Sequence, residues 1–416
     1  MKHRRLLIAL GLSLVTVGMA GCSSGSSNDA ASTTGTFAPT STLATTTSAP
    51  APIRCAWPTK ADKETLNVAY PDTNATYWAM AFQLREGERL RLQGHFPNAR
   101  YASFITYGPD GGALDVLTDW DLAADPGSTN PFADGGKGGG TYTAEVRRDG
   151  VDAPSSVSAI GGGKAGTLVT GTLIYRVYLA NPASDPTGGA GLPAVAKVGA
   201  DGQLGPMKTC ANPGASPLVE DLVAKNGPPT DKPAPSKPIF IRPDAGAANL
   251  YPNPDNTYVA TILKYAPGQI VVVQGTSPTF PNTAKGEQVT GGEQVRYWSL
   301  CTNEYRKPYP VSSCVADQDI TLAADGTYTI VVSTPEDRPA NATVANGITW
   351  LDWGSTKVDN LLFMRQMLAA PDFTQAASNI EPGGLAFPVM GPYTPKGTYC
   401  STATFAKGGA AACTAG

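Results

Sequence analysis

YPDTNATYWAMAFQLREGERLRLQGHFPNARYASFITY, residues 70 to 107, decides how this chain is read, because a second version of it begins at Tyr251. Tyr251, Pro252, Tyr258, Gly268, Gln274, Gly275 and Pro278 each stand 181 residues after Tyr70, Pro71, Tyr77, Gly87, Gln93, Gly94 and Pro97. Past an insertion, Arg100-Tyr101-x-Ser103 returns as Arg296-Tyr297-x-Ser299, and Gly140-Thr141-Tyr142-Thr143 returns as Gly326-Thr327-Tyr328-Thr329. The chain therefore contains an internal duplication that covers most of its length.

The local pattern of each copy is that of strands. Leu90 and Leu92 alternate with Arg89 and Arg91, the period of two expected where one face is wet. In the second copy Val271 and Val273 keep the inward positions while Ile270 and Val272 replace the arginines, so that strand is apolar on both faces. Its outer face must lie against the other copy or an appended segment, and the two copies are expected to pack together. Residues 101 to 107 and 296 to 300 read as the next strand, followed in copy one by the turn residues Gly108-Pro109-Asp110-Gly111-Gly112. Leu122-Ala123-Ala124-Asp125, matched by Leu322-Ala323-Ala324-Asp325, reads as part of the later strands. Residues 362 to 369 could be helical by propensity alone, but their counterpart, residues 173 to 180, is rich in β-formers and decides for strand.

Composition agrees. Of 416 residues, 46 are Gly and 36 Pro while only 16% are charged, which favours a loop-rich all-β protein over a helical one. The expected architecture is two tandem, duplicated β-sandwich domains of jelly-roll type, residues 55–215 and 249–399. Between them, residues 216–248 form a linker in which Ser216 caps a short helix and a Pro-rich stretch follows.

The N-terminus carries an address. Lys2, Arg4 and Arg5 precede an apolar run that ends in small residues before Cys22, so residues 1–21 read as a secretory signal peptide. Met19-Ala20-Gly21-Cys22 is a lipobox pattern, which would make Cys22 the lipid-modified first residue of the mature chain. Residues 22–54 are Ser, Thr, Ala, Gly and Pro with almost no charge, a disordered tether. With Lys2, Arg4 and Arg5 removed, 28 basic side chains face 34 acidic ones, which excludes a nucleic-acid partner and electrostatic docking on anionic lipid. The expected location is the outer face of the cell membrane.

Cys55, Cys210, Cys301, Cys314, Cys400 and Cys413 are an even set in an exported chain, which argues for disulfides. Position selects Cys55–Cys210 as a clasp around copy one, Cys301–Cys314 across a long hairpin loop, and Cys400–Cys413 pinning a tail of residues 400–416. No metal and no cofactor are expected.

No catalytic residue is assigned. His95 is the one histidine of the mature chain and has Thr276 in its place in copy two, and no nucleophile elbow or phosphate loop is present. Paired acids remain. Asp119 and Asp121 recur as Asp317 and Asp319, Asp72 stands near Asn74, and Asp255 next to Asn256. Glycoside hydrolysis needs two such carboxylates, although turn and strand-edge roles account for them more simply. Arginines recur inside predicted core strands, Arg100 as Arg296 and Arg176 as Arg365. A buried guanidinium must be paired, either by an internal carboxylate or by an anionic or sugar ligand. The candidate ligand-binding residues are Tyr77, Arg100, Tyr101, Tyr258, Arg296, Tyr297 and Trp298.

CxWP at Cys55, YPDTNATYW at Tyr70, ARYASF at Ala99, DPGSTNPF at Asp125, GGAGLP at Gly188, RYWSLC at Arg296 and IVVSTPEDRPAN at Ile330 together resemble an uncharacterised family of exported actinobacterial proteins and lipoproteins. Each half is also similar, through its late LxxRxxLA strand, to a jelly-roll-like envelope domain of unknown function. The resemblance implies fold and address and carries no catalytic residues. The expected function is a lipid-anchored binding module for an envelope glycan, a lipid, a small anionic ligand or another envelope protein. An envelope hydrolase using the paired acids and a structural wall role are the alternatives.

Overall fold

A computed structural model describes residues 55–414 apart from 136–138, 149–152, 217, 218, 220–222, 226, 228 and 245–250. The signal peptide, Cys22 and the tether lie outside the described residues, as does most of the linking helix, of which 219 and 223–225 are helical.

The chain is all-β, and the duplication is visible strand by strand. In lobe one, β1 (Thr59–Ala61), β2 (Ala75–Arg85), β8 (Leu168–Tyr178), β4 (Tyr101–Tyr107) and β5 (Ala113–Thr118) form one sheet in that order. The facing sheet runs β10 (Leu204–Met207), β9 (Ala194–Val198), β3 (Arg89–His95), β6 (Thr141–Arg147) and β7 (Ser156–Ser158). Lobe two repeats both orders. β11 (Asn256–Leu263), β17 (Asn360–Met367), β13 (Tyr297–Glu304) and β14 (Val311–Ala316) form one sheet. The other is β16 (Ile348–Asp352), β15 (Thr327–Ser333), β12 (Gln269–Thr276) and β18 (Lys396–Ser401). Even the parallel pairs recur, β6 with β7 and β15 with β16.

Each sandwich buries one wet-faced pattern. Leu90 and Leu92 on β3 point inward to meet Phe104 and Tyr175, while Arg89 on the outer face pairs with Glu145 at 2.8 Å. The repeated Gln-Gly at the end of β3 and β12 has a packing cause. A Cβ on Gly94 would stand 2.6 Å from the Tyr142 hydroxyl, and one on Gly275 2.6 Å from that of Tyr328. Only glycine lets the repeated tyrosine close the sandwich there.

β12 is apolar on both faces, and the appended segment covers it rather than lobe one. Ile270 and Val272 pack under Phe405 of the C-terminal helix (Thr402–Thr414), with Val331, Ala342 and Ile348 completing the cluster. The tail is ordered: β18 pairs with β12 through Cys400, and Cys400–Cys413 ties helix to strand. The other two disulfides also form as expected, Cys55–Cys210 with Cα atoms 5.2 Å apart and Cys301–Cys314 with 4.1 Å. Cys301 and Cys314 are direct cross-strand neighbours on β13 and β14, inside the ladder rather than at the mouth of the loop.

One local expectation needs correction and one ambiguity resolves as its counterpart predicts. The Leu-Ala-Ala-Asp repeats are not strands; each makes one isolated bridge, Ala124 with Tyr142 and Leu322 with Tyr328, and in copy two Asp325 caps the turn into β15 by accepting from the Thr327 N–H at 3.0 Å. Residues 362 to 367, ambiguous by propensity, are strand throughout.

The lobes meet through the sheets that carry β8 and β17. Ala75, Tyr101 and Tyr178 of lobe one form a single apolar cluster with Tyr297, Ala316 and Met367 of lobe two. This is why β4 is buried along its whole length and β13 along nearly all of it: one face looks into the lobe's own core and the other at the second lobe. Truncating Phe405 to Ala should lower unfolding free energy by about 3 kcal/mol, measured by urea denaturation under oxidising conditions. A loss below about 1 kcal/mol would mean that the C-terminal helix is not part of the core.

Candidate functional site

Between the lobes the duplicated residues contact one another reciprocally. Arg100 donates to both oxygens of Asp317, at 3.1 and 3.0 Å, and Arg296 donates to Asp119 at 3.0 Å. The free edges of the carboxylates are taken by equivalent backbone amides, Ala102 N–H to Asp119 at 2.7 Å and Trp298 N–H to Asp317 at 3.0 Å. Both pairs are buried. Burial is the largest influence on the two acids and pushes both carboxyls up, Asp317 to about 6, against the opposing pull of Arg100 on Asp317 and Arg296 on Asp119.

A second set surrounds the tyrosines. Tyr297 donates to Asp72 of the other lobe at 2.8 Å, and Tyr101 donates to Asp255 at 2.6 Å. Asn74 and Asn253 each add a donor to the same hydroxyls at 3.4 Å. At the 181-residue offset Asp72 corresponds to Asn253 and Asn74 to Asp255, so the acid and the amide have exchanged places between the copies.

The third set is the pair of central arginines. Arg365 on β17 donates to the Tyr70 carbonyl at 3.2 Å, and Arg176 on β8 to the Tyr251 carbonyl at 3.0 Å. Both tyrosines hold left-handed φ, 56° and 50°, a conformation costing a non-glycine residue about 1–3 kcal/mol. The strain turns their carbonyls toward the opposite lobe. Arg365 also binds Asp72 and, at 3.1 Å, Ser299. Arg176 has no such acid: among the described residues no carboxylate pairs with it, and its Nη1 has no hydrogen-bond partner. The faces of Tyr77 and Tyr107 flank its guanidinium at 5.5 and 5.4 Å, contacts that favour the cation.

Arg176 and Arg365 line one large cavity, of about 930 Å³, at the edge of the inter-lobe contact. Its walls are mostly apolar. Ala79 and Ile174 come from lobe one, Ala260 and Ile262 from lobe two, and Pro233 and Ile239 from the linker. Tyr77, Tyr258, Asn253 and Asn256 supply the polar points. A concave, mainly apolar chamber with a few convergent polar groups is the usual form of a small-molecule site.

Of the residues picked from sequence, Tyr77 and Tyr258 line this cavity. Arg100, Arg296, Tyr101 and Tyr297 are spent on the inter-lobe contacts, and Trp298 is in the core of lobe two with its indole N–H on Ser277 at 3.1 Å. Asp119 and Asp317 are each held by an arginine, and neither lines the cavity. Asp72, Cys301 and Cys314 lie close together, but the two sulfurs are bonded to each other and the carboxylate is held by Arg365. Sequence reasoning missed the linker wall and Asn253. The sign for Asn253 was the exchange of Asp72 for an amide at a duplicated position.

No family model and no curated protein matches the chain. Solved structures do. One, an uncharacterized protein from Burkholderia cenocepacia, aligns with a TM-score of 0.50 at 15% identity over 84% of this chain and 82% of its own. Another, a protein from Vibrio parahaemolyticus, aligns with a TM-score of 0.39 at 11% identity over 79% of this chain and 89% of its own. At such identity the first likeness shows a shared fold and no more. Among the described residues no helix is long and apolar enough to cross a membrane. Three disulfides fit an extracytoplasmic protein.

Asp317→Asn should cost about 3–5 kcal/mol in unfolding free energy, because it leaves Arg100 buried without its acid. The double variant Arg100→Met/Asp317→Leu should recover most of that loss. A double variant as unstable as the single one would contradict the pairing.

Proposed function

We propose that this protein is a non-catalytic, lipid-anchored binding protein of the cell envelope that holds a lipid or small anionic ligand in the cavity between its lobes. The cavity carries the reading. It is large enough for a small molecule, its walls are mainly apolar, and residues of two lobes and the linker line it. A wall contributed by the Pro-rich linker gives that stretch a role beyond connection, since Pro233 and Ile239 close the chamber. One acid of each pair considered for hydrolysis, Asp119 and Asp317, is committed to an arginine and a backbone amide, which leaves it poorly placed for acid–base work.

Anchoring follows from the N-terminus. The lipobox pattern Met19-Ala20-Gly21-Cys22 would make Cys22 the diacylated first residue of the mature chain, ahead of the Ser/Thr/Pro-rich stretch. Cys22→Ser should abolish incorporation of labelled fatty acid and move the protein from the membrane to the soluble fraction of an expressing cell; unchanged labelling would refute the anchor.

A thermal-shift screen of residues 53–416 against fatty acids, phospholipids and wall sugars tests the cavity. A ligand at 100 times its dissociation constant stabilises by about 2.7 kcal/mol. Ala79→Trp, which fills the chamber from one wall, should remove the shift. Absence of any shift, or a shift that survives Ala79→Trp, would contradict the reading.

A further inference from the structure

We infer that the cavity ligand is a carboxylate with an extended apolar body, its carboxylate bound by Arg176 as the stand-in for an acid that lobe one has lost. This deepens the binding reading above and rests on it. The argument comes from comparing the two copies of one site.

In lobe two, a single carboxylate oxygen is the hub. Asp72 Oδ2 accepts from Tyr297 at 2.8 Å, from Ser299 at 2.8 Å and from Arg365. The equivalent hub in lobe one would be an acid at position 253, and an asparagine stands there. Its orientation is fixed, because the side-chain oxygen accepts from the Asp255 N–H at 3.0 Å and the nitrogen therefore faces Tyr101 at 3.4 Å. Where Asp72 offers an acceptor, Asn253 offers a donor.

Both orphaned donors follow from that one substitution. Among the described residues Arg176 Nη1 has no hydrogen-bond partner, and neither does the hydroxyl of Ser103, the cross-strand neighbour of Arg176 and the counterpart of Ser299. Arg176 and Ser103 are 3% and 2% exposed, so bulk water does not satisfy them. The nearest acid of the repeat, Asp255, is already bonded to the Tyr101 hydroxyl at 2.6 Å. A buried arginine lacking its acid, beside a serine hydroxyl without a partner, is suited to an anionic oxygen.

Arg176 and Asn253 line the cavity, so that oxygen can arrive on a ligand. The rest of the chamber selects the body of the molecule. Beyond Arg176 the wall is Ala79, Ile174, Ile239 and Ile262, which suits an alkyl chain and offers little to a sugar, whose hydroxyls would need many polar partners. Lys232 and Asp244, the other charged pair in the lining, face each other at 3.8 Å in the exposed linker, so one monoanionic head and one apolar tail match the buried arginine that has no acid.

The test compares dodecanoate with dodecanol, both below micellar concentration at pH 7, by isothermal titration into residues 53–416, which form one compact unit. Dodecanoate should bind at least about tenfold tighter, the ratio that one charge-assisted contact supports. Asn253→Asp should bring the ratio toward one by supplying the missing acid from within. Arg176→Met should do the same by removing the cation, and if Arg176→Met fails to fold, Asn253→Asp decides. Equal binding of the two ligands to the unaltered protein would overturn the carboxylate assignment while leaving the cavity reading in place. A preference for dodecanoate that survives Asn253→Asp would also overturn it. Binding of neither ligand would overturn both.

Discussion

A guanidinium buried at a core strand has to find a negative partner, and for three of the four repeated arginines that partner is on the other lobe. Arg100 reaches Asp317, Arg296 reaches Asp119 and Arg365 reaches Asp72. None of these acids belongs to the sandwich that carries its arginine. Each lobe alone would therefore bury or expose unpaired charge, and the two must dock in one register to satisfy it. Because the lobes are copies, the docking surface is self-complementary in the manner of a two-fold dimer, and most contacts occur twice.

Buried ion pairs seldom add much net stability, since the cost of desolvating both charges offsets most of their attraction. Their effect here is selection. The apolar cluster of Tyr101, Tyr178, Tyr297 and Met367 supplies the driving force for docking and would tolerate sliding. The arginine pairs and the strained Tyr70 and Tyr251 carbonyls would not, because each accepts only one position of the other lobe. Such a fixed interface can leave a permanent chamber at its edge, whereas a loosely packed one would collapse into it. Divergence within an otherwise symmetric frame then produces a site on one side only: Asp72 closes one arginine, and Asn253 leaves the other open.

The sequence made the strands, the duplication and the three disulfides legible because each has a short-range signature: period-two alternation, a constant offset, an even cysteine count in an exported chain. It also flagged the repeated arginines. What it could not show was direction. An arginine on a strand reads the same whether its acid lies in its own sandwich or in the other, so Arg100 and Arg296 looked like ligand contacts as much as structural ones. The cavity was less visible still. Its walls come from β2, β8, β11, the linker and the loop before β14, elements far apart in the chain, and only their docking makes them neighbours. The covering of β12 was half legible: its double-sided apolarity demanded a cover, but the choice of the C-terminal helix over lobe one depends on which sheet of each sandwich faces the other lobe.

The central claim is that the two lobes share one interior and open as one body. Native-state amide hydrogen exchange on β8 and β17, the middle strands of the two facing sheets, tests it most directly. If the interface holds both lobes together, the slowest amides of the two strands will open with the same free energy and respond alike to denaturant. If β8 exchanges through openings that leave β17 protected, or the reverse, the lobes are independent sandwiches and the account of the site between them fails.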